Sequence, residues 1–155
     1  MNLNVPDFKN TNPMCVQCPG QEESNIHVFL ECVAADPILD FAIKNLRILL
    51  RGKPFTLFKI LVNIFPEGIS NEIKKMAIGL WQITMRVIWL NRNDFIFKQK
   101  ITNREESINT ICKQFKSAIE VEFQTLDPAK FRKRYCHTPQ ICKIQNDRLY
   151  VHLEK

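Results

Sequence analysis

Apolar positions recur at helical spacing along most of the chain. After Asp36-Pro37, the residues Ile38, Leu39, Ala42, Leu46, Leu49 and Leu50 return every three or four positions, the pattern of a helix that buries one face. Asp36 is the expected N-cap with Pro37 in the first turn, and Gly52 and Pro54 end the helix. A short second helix is expected from Pro54 or Phe55 to Phe65, with Leu57, Phe58, Leu61 and Ile64 on its apolar side. Pro66-Glu67-Gly68 then reads as a loop. The third helix is the longest. Ser70 caps it, and Ile73, Met76, Ala77, Leu80, Thr84, Val87, Ile88 and Phe95 form one stripe. Ile78, Trp81, Met85, Trp89 and Ile96 form a second stripe. A helix apolar on two sides sits centrally or covers a partner surface.

Thr102 and Glu105 have capping-box spacing for a fourth helix. It carries Ile108, Ile111, Cys112, Phe115, Ala118, Ile119 and Phe123, with Glu122 at the stripe's border and Cys112 expected as a buried core thiol. Asp127-Pro128 stops this helix and starts a brief basic one through Arg134. The period then changes: Ile141, Cys142 and Ile144 precede a Gln145-Asn146-Asp147 turn, and Leu149, Tyr150, Val151 and Leu153 follow it. That pattern predicts a β-hairpin. The chain is therefore expected to be mainly α, a bundle of about four helices closed by a small C-terminal β-hairpin. The N-terminal stretch before Asp36 carries a different signal, with His27 and Cys32 expected on successive turns near the start of a short helical stretch.

That signal is a set of four candidate metal ligands, Cys15, Cys18, His27 and Cys32, separated by two, eight and four residues. Thiolate and imidazole are the preferred donors of zinc, and a closed structural site takes four of them. The Cys15-Val16-Gln17-Cys18 turn aims two sulfurs at one point, and Pro19-Gly20 turns the chain away. Val28, Phe29 and Leu30 fill the gap to Cys32 and cover the apolar side. The expected cofactor is one structural Zn2+, and the expected division is a zinc knuckle over residues 1–35 and a helical domain over 36–155. Six cysteines also allow disulfides in a secreted protein. The opening MNLNVPDFKN has neither a basic n-region nor an apolar h-region. An intracellular location, nuclear or cytoplasmic, is therefore expected, where clustered Cys and His hold metal.

At 155 residues and 45% hydrophobic content, the chain has enough material for one ordinary core. No apolar run reaches the roughly eighteen residues of a membrane span. The formal charge of +6 favours anionic partners. Lys130, Arg132, Lys133 and Arg134 concentrate that charge and are the candidate phosphate contacts through counterion release; a solvated helix end is the competing reading. In the knuckle, Gln17, Gln21 and Asn25 offer base contacts, Phe8 stacking and Lys9 a phosphate contact. The acidic Glu22, Glu23 and Glu31 suit packing against the helical body better than gripping a backbone. His137, between Cys136 and Cys142, lacks a fourth ligand, so structural thiols are expected there.

Three segments carry a resemblance. Cys15–Cys32, with Glu22-Glu23-Ser24 ahead of His27-Val28-Phe29, resembles the C-terminal zinc-binding region of non-LTR retrotransposon reverse transcriptases. Trp89-Leu90-Asn91-Arg92-Asn93 resembles the Trp-x-x-Arg-Asn motif downstream of that knuckle, and Ile141 to Val151 resembles the short terminal hairpin. The resemblance implies a non-catalytic module that assists template RNA or target DNA binding beside the reverse transcriptase domain of a parent polyprotein, with Arg92 as a further nucleic-acid contact. It equally allows a domesticated or decayed fragment. The reverse transcriptase's Asp-Asp pair has no counterpart, since the chain contains no Asp-Asp. Pro6-Asp7 and Glu72-Ile73-Lys74 are the nearest pieces of a restriction-like nuclease, in the wrong order and far apart. A zinc-stabilised protein-interaction surface built around Trp81 or Trp89 is the alternative from another class.

Overall fold

Why each helix starts and stops where it does is best seen from its ends. The computed structural model describes residues 14–155; Pro6-Asp7, Phe8 and Lys9 lie outside them. Helix α1, Asp36–Leu49, begins one residue earlier than the capping pattern implied: Ala35 occupies the N-cap without a side-chain bond, and Asp36 lies in the first turn. There its carboxylate complements the helix dipole. Arg51 and Gly52, both at positive φ, turn the chain away beyond its end. Helix α2 spans only Leu57–Leu61, because Thr56 caps it through Lys59 N–H and left-handed Asn63 follows it. Its buried residue is Ile60, while Phe58, Leu61 and Ile64 are exposed, which corrects the expected apolar side.

Helix α3, Asn71–Lys98, is capped by Ser70, whose hydroxyl accepts from Ile73 N–H at 3.3 Å. Its first stripe is buried from Ile73 to Ile88, and Trp81 joins the core. Trp89 of the second stripe is 45% exposed. Helix α4, Arg104–Thr125, is capped by Asn103, which accepts from Glu106 N–H at 2.7 Å, in place of the expected Thr102. The Thr102 hydroxyl is buried and unpartnered among the described residues. Cys112 is half-buried against the core. Helix α5, Pro128–Tyr135, begins at Asp127, whose carboxylate accepts from Ala129 and Lys130 N–H.

Strands β1, Cys142–Gln145, and β2, Arg148–Val151, pair antiparallel with Cys142 opposite Val151 and Ile144 opposite Leu149. Asn146 and Asp147 both adopt positive φ, as a two-residue hairpin turn of matching twist requires. Lys143 and Tyr150 face outward, with the ammonium 5.9 Å from the ring centre.

Helix α3 is the axis of the fold, packing against α1, α2, α4, α5 and the turn that carries His27. The mainly helical architecture with a terminal hairpin agrees with the sequence pattern. One buried polar residue ties the chain's end to its first helix. Asn45 donates to the Phe41 and Glu154 carbonyls and accepts from Glu154 N–H at 2.8 Å. It thereby satisfies its own amide and holds Leu153 in the core. Among the described residues, no helix is long and apolar enough to cross a membrane.

Candidate metal centre

The N-terminal ligand pair sits on a small reverse turn. Cys15 N–H bonds the Gln21 carbonyl at 2.8 Å, Gln21 N–H bonds the Cys18 carbonyl at 3.1 Å, and Met14 bridges to Glu22. Gly20 closes the turn at φ +81°, a backbone conformation that suits glycine. Gln17 N–H points at Cys15 Sγ from 3.4 Å, a contact that stabilises a thiolate.

The second pair depends on an unusual turn. His27–Glu31 is π-helical, with Cys32 N–H bonding the His27 carbonyl at 2.7 Å. In an α-helix, at 3.6 residues per turn, side chains five apart diverge by about 140°. The wider i→i+5 turn brings His27 and Cys32 back toward one side. Ser24 starts it, its hydroxyl accepting from His27 N–H at 3.0 Å.

These two pieces place Cys15, Cys18, His27 and Cys32 together, all buried, with one ligand atom from each within 4.8 Å of the others. The Cys18 and Cys32 sulfurs are 3.6 Å apart and those of Cys15 and Cys32 are 4.0 Å apart. A tetrahedral ion with bonds of roughly 2.3 Å to sulfur separates its thiolates by about 3.8 Å. A disulfide would hold them at about 2.05 Å, and all six cysteines are free thiols. The donors fit a metal on a second count: His27 Nε2 is buried with no hydrogen-bond partner among the described residues. An orphaned buried nitrogen is costly, and metal ligation removes that cost.

Electrostatics point the same way. Burial pushes the Cys15 thiol up, but hydrogen bonding led by the Gln17 backbone, together with the nearby His27 ring and Cys18, outweighs it and brings the thiol down to about 7. Cys32 is pushed up to about 12, first by burial and then by its neighbours Cys18 and Cys15. Thiols this close resist ionising together until a cation compensates them. Four such donors match the ligand count of a structural metal site.

Two stretches singled out separately in the sequence meet beside this centre. Arg92 of Trp89–Asn93 makes a two-pronged ion pair with Glu23, its Nε 3.0 Å from Oε2 and its second nitrogen bonded to Oε1. The side chains are only 16% and 23% exposed. The Arg92 guanidinium also lies 5.6 Å from the Trp89 ring centre, and Phe29 packs on that ring at 6.3 Å. Arg92 thus braces the turn that carries His27, with its donors turned to Glu23. Asn91 faces the other way and donates to Ser107 of α4 at 2.8 Å. Cys15, Cys18 and Cys32 share one continuous core with α1 and α3.

The basic residues are placed differently. Lys130, Arg132 and Lys133 are exposed on α5 and make no salt bridge among the described residues. Arg134 binds Glu122 of α4 at 2.5 Å. Beside them, burial pushes the Tyr135 phenol up to about 12, helped by the Glu122 carboxylate. The sequence suggested that the acidic residues of the knuckle pack against the helical body, which Glu23 does while Glu22 and Glu31 stay exposed, and it set Glu122 at the border of the α4 stripe; which cation each carboxylate meets was not visible there. Cys136 and Cys142 lie close enough to interact, and burial followed by Cys136 pushes the Cys142 thiol up to about 12, but no third donor joins them, and the Cys15 set is the one compact metal-capable group among the described residues. Compared with protein-family models, curated proteins and solved structures, the chain matches none.

Proposed function

We propose that this chain is a non-catalytic, zinc-stabilised module that binds RNA or DNA, and that it derives from the C-terminal part of a non-LTR retrotransposon reverse transcriptase. The ion is zinc because three thiolates and one imidazole in a closed tetrahedral set are its preferred donors. Its work is to brace: it ties the reverse turn and the π-helical turn to α3. The observation that carries the binding reading is the division among the cations. Arg92 and Arg134 are paired with Glu23 and Glu122, whereas Lys130, Arg132 and Lys133 are exposed on one short helix and make no salt bridge among the described residues, Lys133 lying within electrostatic reach of Glu72. Glu22 and Glu31 leave the knuckle's own surface acidic and exposed, which favours α5 as the phosphate-contacting element. The meeting of Glu23 and Arg92 supports the view that knuckle and Trp-x-x-Arg-Asn segment belong to one unit. A reverse transcriptase domain of a parent polyprotein would be its natural companion.

Metal analysis of protein purified without added zinc tests the first half; one zinc per chain is expected, and its absence refutes the site. Fluorescence anisotropy with single-stranded RNA and duplex DNA between 50 and 200 mM salt tests the second. Replacing Lys130, Arg132 and Lys133 with Gln is expected to reduce the salt slope by about 2 on single strands and about 2.7 on duplex. An unchanged slope removes α5 as the contact surface.

A further inference from the structure

Helices α3, α4 and α5 do not close completely against one another. Between them lies a groove of about 220 Å³ with a mostly apolar lining. Its two smallest lining residues are Gly79 on α3 and Ala118 on α4, with Phe115 also in the lining. A Cβ built on Gly79 would meet no atom within 4 Å, so the gap there is open. The rim is charged and aromatic: Lys75, Tyr135 and Arg134 border it, with the Arg134 guanidinium on Glu122. Tyr135 is held in place by Phe131, their ring centres 4.9 Å apart. Lys130 lies one helical turn before Arg134 and is exposed, and residues at that spacing share a helix face.

The groove is smaller than an ordinary drug-sized site and too small to take a whole helix, so it admits one ring-sized group. Aromatic surface beside unpaired lysines is the combination that seats an unstacked base while the adjoining phosphates meet the cations. Resting on the nucleic-acid reading above, we infer that this groove seats a single base of single-stranded RNA or DNA, with Lys75 and Lys130 on the flanking phosphates. Charge complementarity decides the occupant. Of the charged lining residues, Glu122 and Arg134 neutralise each other and Lys75 makes no salt bridge among the described residues, with exposed Lys130 beyond the rim on the Arg134 face of α5. A duplex keeps its bases stacked and cannot use the groove.

The test is anisotropy of a fluorescein-labelled twelve-nucleotide oligo(U), and of a duplex of matching length, on zinc-loaded full-length protein. Gly79→Leu fills the groove where space exists and improves helix propensity; Gly79→Ala is the control. Circular dichroism and zinc content check that both variants fold. Gly79→Leu is expected to weaken single-strand binding about tenfold, the scale of one lost base-stacking contact. Duplex binding and the salt slope should stay unchanged, and Gly79→Ala should stay within about twofold of the parent. Equal single-strand affinity in Gly79→Leu overturns the groove while leaving nucleic-acid binding by α5 intact. Absence of any oligonucleotide binding by the parent protein overturns both. Binding of an acidic aromatic peptide that Gly79→Leu abolishes, without oligo(U) competition, overturns the inference in favour of a protein partner. Photocrosslinking of a 4-thiouridine oligonucleotide to the unaltered protein is an independent arm: adducts on half-buried Tyr135 support the groove, and adducts confined to Trp89 overturn it.

Discussion

Arg92 offers the sharpest quantitative test, because two readings of it predict opposite results. If it clamps the knuckle, its partner Glu23 matters as much as it does. The pair lies between two regimes. Exposed ion pairs contribute about 0.2–1 kcal/mol, and breaking a fully buried one costs about 3–5 kcal/mol. With side chains 16% and 23% exposed and two charge-assisted hydrogen bonds, removing either partner should cost about 2 kcal/mol. Arg92→Met also loses the contact with Trp89, on the order of 0.5–1 kcal/mol, whereas Glu23→Gln retains it. A double-mutant cycle isolates the pair, with an expected coupling energy of about 1.5 kcal/mol. Urea denaturation of the zinc-loaded protein, followed by circular dichroism, measures all four species. Chelator competition should report a parallel loss of about tenfold in metal affinity for each single variant, because the clamp holds the turn that carries His27. Additive single variants, with coupling below about 0.3 kcal/mol, would refute the clamp. So would an Arg92→Met variant that loses nucleic-acid affinity while Glu23→Gln keeps it, which would make Arg92 a direct contact.

Three further outcomes are expected. Metal affinity should fall as the pH falls, because each thiol must lose its proton to bind. Burial, outweighed by hydrogen bonding from the Gln17 backbone, leaves the Cys15 thiol at about 7, and burial pushes Cys32 up to about 12, so Cys32 gives up a proton on binding at neutral pH and Cys15 joins it as the pH falls. The slope should then be at least about one log unit per pH unit near neutrality and steepen below it, because binding releases thiol protons, and a flat profile in a chromophoric-chelator assay would contradict the ligand set. Asn103→Ala should destabilise the fold by about 1 kcal/mol through loss of the α4 cap, while Thr102→Val should be neutral or stabilising because its hydroxyl has no partner; reversed effects in thermal denaturation would restore Thr102 as the cap. Asn45→Ala should cost about 2–3 kcal/mol by leaving Glu154 backbone groups unpaired, and carboxypeptidase should then trim the C-terminus faster at unchanged zinc content. Unaltered trimming would mean that Asn45 does not anchor the tail.

Much of the fold was legible because helix burial leaves a direct periodic trace. The α3 stripe from Ile73 to Ile88 and the change of period at Ile141 were readable, and the structure places them in one core and one hairpin. Caps were less legible. Asn103 and Thr102 are adjacent and both suitable, and only the backbone path decides which side chain reaches the free amides. The short α2 was overextended because Leu57, Phe58, Leu61 and Ile64 have helical spacing, yet left-handed Asn63 turns the chain before that face can be buried. Trp81 and Trp89, eight residues apart on one helix, share a stripe and differ completely in exposure. A stripe records which way a residue points, but not how far the neighbouring elements extend to cover it.

The candidate metal centre divides the same way. The chain by itself determines its chemistry, since three thiols and an imidazole at knuckle spacing are donors suited to zinc whatever surrounds them. The tertiary structure decides everything that depends on a partner distant in sequence. The reverse turn and the π-helical turn bring Cys15 and Cys18 within reach of His27 and Cys32. Glu23 finds Arg92, Glu122 finds Arg134, and Lys130, Arg132 and Lys133 are left without a salt bridge among the described residues. The physical reason is that donor identity is a property of one residue, whereas pairing and exposure are set by which surfaces meet when α3 gathers the other elements around itself.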